Sequence, residues 1–155
     1  IAAGEDVWES NRGGKKGGRT KRKVVVPPPE FREPQLATLV DAVPSGNDWI
    51  HEYKYDGYRL LLAVGETSVL AWTRNGKDWS DFFAPLTKAA AKLPAGCLLD
   101  GEAVALGPDG KPNFQLMQAT LKGGPAAAGK EKPELAYYAF DLLVDQGEDI
   151  TALPN

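Results

Sequence analysis

His51-Glu52-Tyr53-Lys54-Tyr55-Asp56-Gly57-Tyr58-Arg59 puts four charged side chains into the eight positions from Glu52 to Arg59, inside a run that otherwise reads as strand. Side chains alternate along a strand, which places Glu52, Lys54 and Asp56 on one face and Tyr53 and Tyr55 on the other. Gly57 permits a sharp turn or the close approach of another backbone. Arg59 then opens the apolar run Leu60-Leu61-Leu62-Ala63-Val64. A lysine between two carboxylates, followed by Asp-Gly, is a place for a covalent amine nucleophile. The same residues also read as a solvated strand face with local salt bridges.

Around this stretch the pattern is that of an α+β domain. Trp49 to Tyr55 and Tyr58 to Val64 read as two strands joined at Asp56-Gly57, a hairpin signal. Ser68 to Thr73 is a third strand, and Arg74-Asn75-Gly76-Lys77 is a tight turn that leaves the Arg74 guanidinium free to reach inward. Upstream, Gln35 to Ala42 reads as a short helix after Pro34, followed by the turn cluster Pro44 to Asp48. Downstream, Trp79, Phe82, Phe83, Leu86, Ala90 and Leu93 recur at helical spacing, so Trp79 to Leu93 reads as an amphipathic helix packed on the core. Trp49 and Trp72 are expected in that core. For Tyr53, Tyr55 and Tyr58, packing is the preferred reading over contact with a bound partner. Asn113 to Leu121 reads as a further short helix, Lys122 to Pro133 as a surface loop, and Leu135 to Val144 as an apolar strand. Ile150 to Leu153 is a possible helix start.

Cys97 to Leu106 reads as a strand with two acids set among apolar residues. Asp100 and Glu102 share a face by alternation. Burying a carboxylate without a partner is too costly to be incidental, so this face must meet water, a cation or a ligand.

Composition bounds the possibilities. With 155 residues, 43% hydrophobic and 25% charged, the chain is long enough for one domain with a real core. No apolar run approaches the ~20 residues of a membrane-spanning helix. A single cysteine, Cys97, and a single histidine, His51, exclude a disulfide framework and a zinc pattern, and fit a reducing compartment. Cys97 reads as a small buried hydrophobe and His51 as a structural or surface residue. The net charge of −3 hides an asymmetry. Arg12, Lys15, Lys16, Arg19, Lys21, Arg22 and Lys23 form an acid-free Gly-rich arm, whereas residues 24–155 hold 11 basic and 18 acidic residues, a net of −7. Such an arm reads either as a nucleic-acid contact on phosphate backbones or as an ordinary solvated linker. Residues 1–30, ending in Pro27-Pro28-Pro29, are read as a flexible linker and residues 31–155 as the front part of a folded domain.

Three separated pieces belong together: Glu52-Tyr53-Lys54-Tyr55-Asp56-Gly57-Tyr58-Arg59, Leu99-Asp100-Gly101-Glu102, and Tyr138-Ala139-Phe140-Asp141-Leu142-Leu143, with Arg74-Asn75-Gly76 between the first two. In this order they resemble the opening motifs of the covalent nucleotidyltransferases, the superfamily of ATP-dependent DNA ligases, RNA ligases and mRNA capping enzymes. The wording is most similar to the ligase domain of bacterial end-joining ligases, over about residues 30–155. The resemblance implies two antiparallel sheets with flanking helices and a nucleotide in the groove between them, an arrangement left incomplete here. It also implies ATP as cofactor with Mg²⁺ or Mn²⁺. Lys54 resembles the nucleophile that takes AMP, Glu52 the reader of the adenine amino edge, and Phe140 the ring that stacks on adenine. Arg59 and Arg74 resemble the phosphate-binding pair. Glu102 resembles the acid that holds the ribose and helps place metal, with Asp56 on the metal side and Tyr53 beside the nucleotide. The implied partners are nicked or broken double-stranded DNA and the phosphoesterase and polymerase modules of a parent chain, in the bacterial cytoplasm near the nucleoid, with no membrane.

One constraint accompanies these roles. A free lysine has a pKa of ~10.4 and is protonated at neutral pH. Neighbouring carboxylates favour the ammonium form, so activation must come from opposite charge, a divalent ion with Arg and Lys neighbours. Lowering the value by about 3 pH units corresponds to ~4 kcal/mol. The later Glu-Gly-x-x-x-Lys and Lys-x-Lys motifs of the superfamily do not occur in residues 141–155. The expected consequence is weak nucleotide binding and poor self-adenylation by this chain alone. A non-catalytic DNA-binding fragment that uses the basic arm, and an RNA ligase or capping-type enzyme, are the alternative readings.

Overall fold

The computed structural model describes residues 24–122 and 133–153. The chain forms β1 (Tyr58–Val64), β2 (Val69–Thr73), α1 (Ala84–Ala90), β3 (Cys97–Leu106), α2 (Phe114–Lys122), β4 (Glu134–Asp145) and β5 (Glu148–Asp149). The strands make one antiparallel sheet in the order β2-β1-β3-β4-β5. The α+β class and the antiparallel pairing match the expectation. Among the described residues the strands form one sheet, in keeping with an arrangement expected to be incomplete.

β1 is central and buried on both faces, which is why it reads as a continuous apolar run. Leu60, Leu62 and Val64 pack under the helices with Phe83, Leu86, Ala90 and Met117. Leu61 and Ala63 turn the other way and join Leu98 and Val144, covered by Phe31, Leu70, Trp72 and Leu143. Alternation carries Arg59 to this second face, beyond the end of the small apolar cluster. Across the strand pair, Ala63 faces Leu98, Leu61 faces Asp100 and Arg59 faces Glu102. The second face of the sheet is therefore apolar at one end and charged at the other.

β4 does not keep a simple alternation. Its register against β3 shifts between Leu98 and Leu99 and again between Asp100 and Gly101. Gly101 faces Ala139 and Asp100 faces Asp141, so Phe140 is an extra residue; Leu143 is the second. Such bulges re-aim neighbouring side chains. Phe140 and Asp141 consequently line the same cleft, and Leu143 and Val144 join the same cluster.

Several expectations fail, each for a local reason. Gln35 to Ala42 is not helical, and Leu36, Leu39 and Val40 are exposed. So short a helix is marginal without a surface to pack on. Trp49 to Tyr55 is not a strand, and Trp49 is exposed instead of joining the core. There is no hairpin at Asp56-Gly57, because the Gly57 N–H donates to the Glu102 Oε1 at 3.0 Å and not to a partner strand. Gly57 serves the close approach instead: a Cβ there would lie 2.2 Å from the Ala103 carbonyl oxygen. The helix expected over residues 79–93 shrinks to Ala84–Ala90. Before it, the chain is tied to β2 by a Trp72–Asp78 bridge and by the Ala71 N–H donating to Ser80 Oγ at 2.9 Å. Pro85 then sets the first helical turn. Phe83 and Leu86 are buried as expected; Leu93, past the helix end, is exposed. Ile150 to Leu153 makes a turn and not a helix.

Other features agree with the expectation. Cys97 is buried, Gly76 takes the positive φ of the Arg74–Lys77 turn, and the Asn113 side chain caps α2 through the Leu116 N–H at 3.0 Å. Contacts with the sheet begin upstream of Phe31, since the Val26 carbonyl accepts from the Glu66 N–H at 2.8 Å.

Candidate functional site

On the charged end of the second face lies a cleft of about 580 Å³. Glu52, Tyr53, Lys54 and Tyr55 form one wall, Gln35, Leu36 and Ala37 another, and Arg59, Glu102, Phe140 and Asp141 the floor. Six of the residues singled out from the sequence, Glu52, Tyr53, Lys54, Arg59, Glu102 and Phe140, thus share one cavity. Its size falls within the range of small-molecule sites.

Two predicted residues do not line it. Arg74 is exposed in the β2 turn, and Asp56 is exposed at the end of the ribbon. The basic arm, Arg12, Lys15, Lys16, Arg19, Lys21, Arg22 and Lys23, lies outside the described residues. The alternation argument also fails here: with no strand over residues 51–56, Tyr53 and Tyr55 line the same cleft as Glu52 and Lys54. Tyr53 is 84% exposed, so it meets solvent rather than the core, whereas Tyr58 packs near Trp79 and Phe114.

The floor is organised by one buried ion pair. Arg59 Nε donates to Asp100 Oδ1 at 3.0 Å and Nη2 to Oδ2 at 2.7 Å, a two-point match of guanidinium and carboxylate. Asp100 is 2% exposed and the Arg59 side chain 23%. The hydrogen bond to Asp100 holds the arginine above its already high ordinary value, against the opposing effect of burial. The cation that the acidic strand required is therefore supplied by the chain itself. Arg59 also lies over the Phe140 ring, 5.3 Å from its centre, a cation–π contact that fixes both groups.

Glu102 is the second acid. Burial pushes its carboxyl above the ordinary range; the Gly57 N–H, then the positive charges of Lys54 and Arg59, pull it down, and Asp56 pushes it up. Lys54 thus acts electrostatically on the carboxylate that its own ribbon is bonded to. Behind this pair, on the helix face, the Tyr137 hydroxyl sits 3.0 Å from the Leu60 carbonyl and 3.2 Å from the Leu99 carbonyl, bridging β1 and β3. Burial pushes its phenol well above the ordinary range. Gly101 leaves room for that ring, since a Cβ would lie 2.6 Å from Tyr137 Cζ. The glycine of the Asp-Gly-Glu motif is thereby explained by packing.

Sequence reasoning gave Tyr55 a packing role and assigned no role to Asp141 or Tyr138. The bulge that brings Asp141 to the cleft leaves no mark in the alternation pattern. Tyr138, two residues before Phe140, carries the signal of a shared face. Among the described residues no three His, Cys, Asp or Glu side chains are gathered so as to hold a metal ion. Asp100 is committed to Arg59, and Glu102 already accepts one N–H. This donor set does not make a closed cage. It fits a Mg²⁺ ion that arrives with nucleotide phosphates and keeps its own waters, for which one carboxylate suffices.

A curled antiparallel sheet with two helices is the fold of a ligase nucleotidyltransferase domain. The chain belongs to the ATP-dependent DNA ligase domain family, whose model matches residues 34–155. It is similar to the multifunctional non-homologous end joining protein LigD of Pseudomonas aeruginosa, 39% identical over 140 residues, which cover 90% of this chain and 15% of that protein. It is also similar to the bifunctional non-homologous end joining protein LigD of Bacillus subtilis, at 33% over 128 residues, 74% of this chain and 20% of that protein. Among solved structures, mycobacterial DNA ligase D complexed with ATP and MES superposes with a TM-score of 0.50 at 33% identity, over 63% of this chain and 30% of that one. The ligase domain of Mycobacterium tuberculosis LigD gives 0.51 at 34%, with the same coverage. The chain therefore spans a fifth or less of these curated relatives and under a third of the solved chains.

Proposed function

We propose that the cleft is the nucleotide pocket of an ATP-dependent DNA ligase and that Lys54 is the amine that takes AMP. The observation that carries this reading is the convergence of Glu52, Lys54, Arg59, Glu102 and Phe140, from three separate stretches, on one cavity. In its neutral form the Lys54 amine attacks the α-phosphorus of ATP. A P–N bond forms, the bond to the β-phosphate oxygen breaks, pyrophosphate leaves and the amine proton passes to solvent. AMP then moves to a DNA 5′-phosphate, and a 3′-hydroxyl displaces it to join the strand.

Phe140 offers its ring to adenine, and Arg59 holds that ring from behind. Glu52 offers an acceptor to the adenine amino group, and Glu102 faces the ribose. Arg59 spends Nε and Nη2 on Asp100, so its remaining donors alone are available to phosphate. A bound Mg²⁺ or Mn²⁺ would spread the charge that develops on the phosphate oxygens and favour the free amine. Glu102, with Asp56 nearby, is the carboxylate that would meet it. Nicked or broken double-stranded DNA is the proposed substrate, with phosphoesterase and polymerase modules as partners in a parent chain of the bacterial cytoplasm. Among the described residues no helix is long and apolar enough to cross a membrane.

Among the described residues Lys54 and Arg59 are the cations that line the cleft, so a triphosphate is poorly neutralised by them and transfer is expected to be slow. Incubation with ATP and Mg²⁺ should shift the resonances of Glu52, Glu102 and Phe140 and place a slowly formed AMP adduct on Lys54, lost in Lys54→Arg. An adduct on another residue, or ATP that leaves the cleft resonances unmoved, would overturn the assignment.

A further inference from the structure

The ribbon that carries Lys54 has no secondary structure, and yet its lysine must be held at a fixed place for the reading above to work. Upstream of Lys54 the ribbon is exposed at Trp49, Ile50 and Tyr53. Downstream it is fixed at two points. One is the Gly57 N–H bonded to Glu102 Oε1, beside the tight backbone approach to Ala103. The other is Tyr55, whose ring stacks on Tyr138 with centres 3.9 Å apart and planes within 8°. Glu102 and Tyr138 face each other directly across β3 and β4. Both fixed points therefore rest on a single cross-strand pair, and the Tyr55–Tyr138 stack is the last of them before Lys54.

We infer that Tyr138 is a positioning residue for Lys54. Tyr138 is outside the set of side chains lining the cleft, so it acts on the lysine through the Tyr55 ring and not on the nucleotide. The contact is between flat faces, and the Tyr138 hydroxyl takes no part in it. An aromatic ring without the hydroxyl should serve equally well, whereas a branched aliphatic side chain of similar reach should not. This inference rests on the reading of Lys54 as the amine that takes AMP.

The test compares Tyr138→Phe and Tyr138→Leu in the intact chain. The first readout is hydrogen exchange at the Gly57 amide, with Leu61 and Leu62 amides as controls for the sheet. Tyr138→Leu should raise Gly57 exchange by about two- to tenfold, the range expected for losing one aromatic pair, with the controls unchanged. Tyr138→Phe should match the unaltered chain. The second readout separates ATP affinity from the rate of AMP transfer to Lys54: Tyr138→Leu should slow transfer at saturating ATP and leave affinity unchanged. Unchanged Gly57 exchange in Tyr138→Leu, or a Tyr138→Phe variant that behaves like it, would overturn the anchor. An unaltered chain that takes no AMP on Lys54 would instead overturn the adenylation reading, and with it the purpose of the anchor. Weakened ATP affinity in Tyr138→Leu with an unchanged transfer rate would assign the residue to binding and reject positioning.

Discussion

Arg59 carries two duties at once, and their balance decides what its replacement does. It neutralises Asp100, which is 2% exposed, and it lies over the Phe140 ring. Breaking a buried pair from one side costs in proportion to how deeply the remaining charge is left. Arg59→Ala strands a carboxylate that is only 2% exposed, so it should lower unfolding free energy by about 3 kcal/mol. Asp100→Ala strands a guanidinium whose side chain is 23% exposed and able to reach solvent; it should cost nearer ~1 kcal/mol. Urea unfolding of both variants checks the order, and an equal cost for the two would mean that Asp100 reaches water by another path. The sequence alone identifies the demand for a cation on the acidic strand. It could not say that Arg59 would meet the demand, because the partner lies 41 residues away across a strand pair. The expected phosphate-binding role of Arg59 is correspondingly reduced to the donors Asp100 leaves over.

The strands that pack on both sides announce themselves in the sequence, and the ribbon between them does not. Cys97 to Leu106 is legible to the residue because its apolar runs on either side of Asp100-Gly101-Glu102 leave only the two acids to explain. Tyr58 to Val64 is legible because a buried central strand is apolar throughout. Trp49 to Tyr55 has the composition of a strand, yet the strand it adjoins offers it no free side: β1 is already flanked by β2 and β3. Composition reports what a segment prefers, whereas pairing depends on which edges are vacant. The bulges in β4 are hidden for a related reason, since an extra residue changes register without changing composition. What the ribbon does have is Gly57. In Gly57→Ala the new Cβ must move away from the Ala103 carbonyl oxygen, 2.2 Å from its ideal place, and the ribbon must lift from β3 with it. The expected cost is about 1–3 kcal/mol of overpacking. Thermal unfolding should show a modest loss, and resonances of Lys54 and Glu102 should shift while those of Leu62 and Met117 stay put. A variant whose Gly57–Glu102 contact survives intact would show that the close approach is not required.

At the scale of the whole molecule, one face of the sheet is closed by two helices and the other is only half closed, by Phe31, Leu70, Trp72 and Leu143. The charged groups gather where the cover ends, and this gives the stability of the fold a pH dependence of two opposite parts. Asp149 is held at about 2, chiefly by the Thr151 hydroxyl and then by Arg32. Its pairing contributes above its ordinary value of 3.8 and is lost as pH falls through about 2; the group is fully exposed, so solvent screens that contribution. Glu102 works the other way. Burial raises its carboxyl above the ordinary 4.5, so the folded chain holds that proton more tightly than the unfolded chain does. Stability therefore falls as pH rises from the ordinary value to the raised one, because the folded state must ionise an acid that the unfolded state has already ionised. Glu102→Gln removes this second part and leaves the first. It should flatten the decline on the mildly acidic side, keep the loss at strongly acidic pH, and be more stable relative to the unaltered chain at neutral pH than at pH 4. Urea midpoints across that range measure it. A Glu102→Gln profile that runs parallel to the unaltered one throughout would mean that Glu102 ionises at its ordinary value, with the Gly57 N–H and Lys54 outweighing its burial.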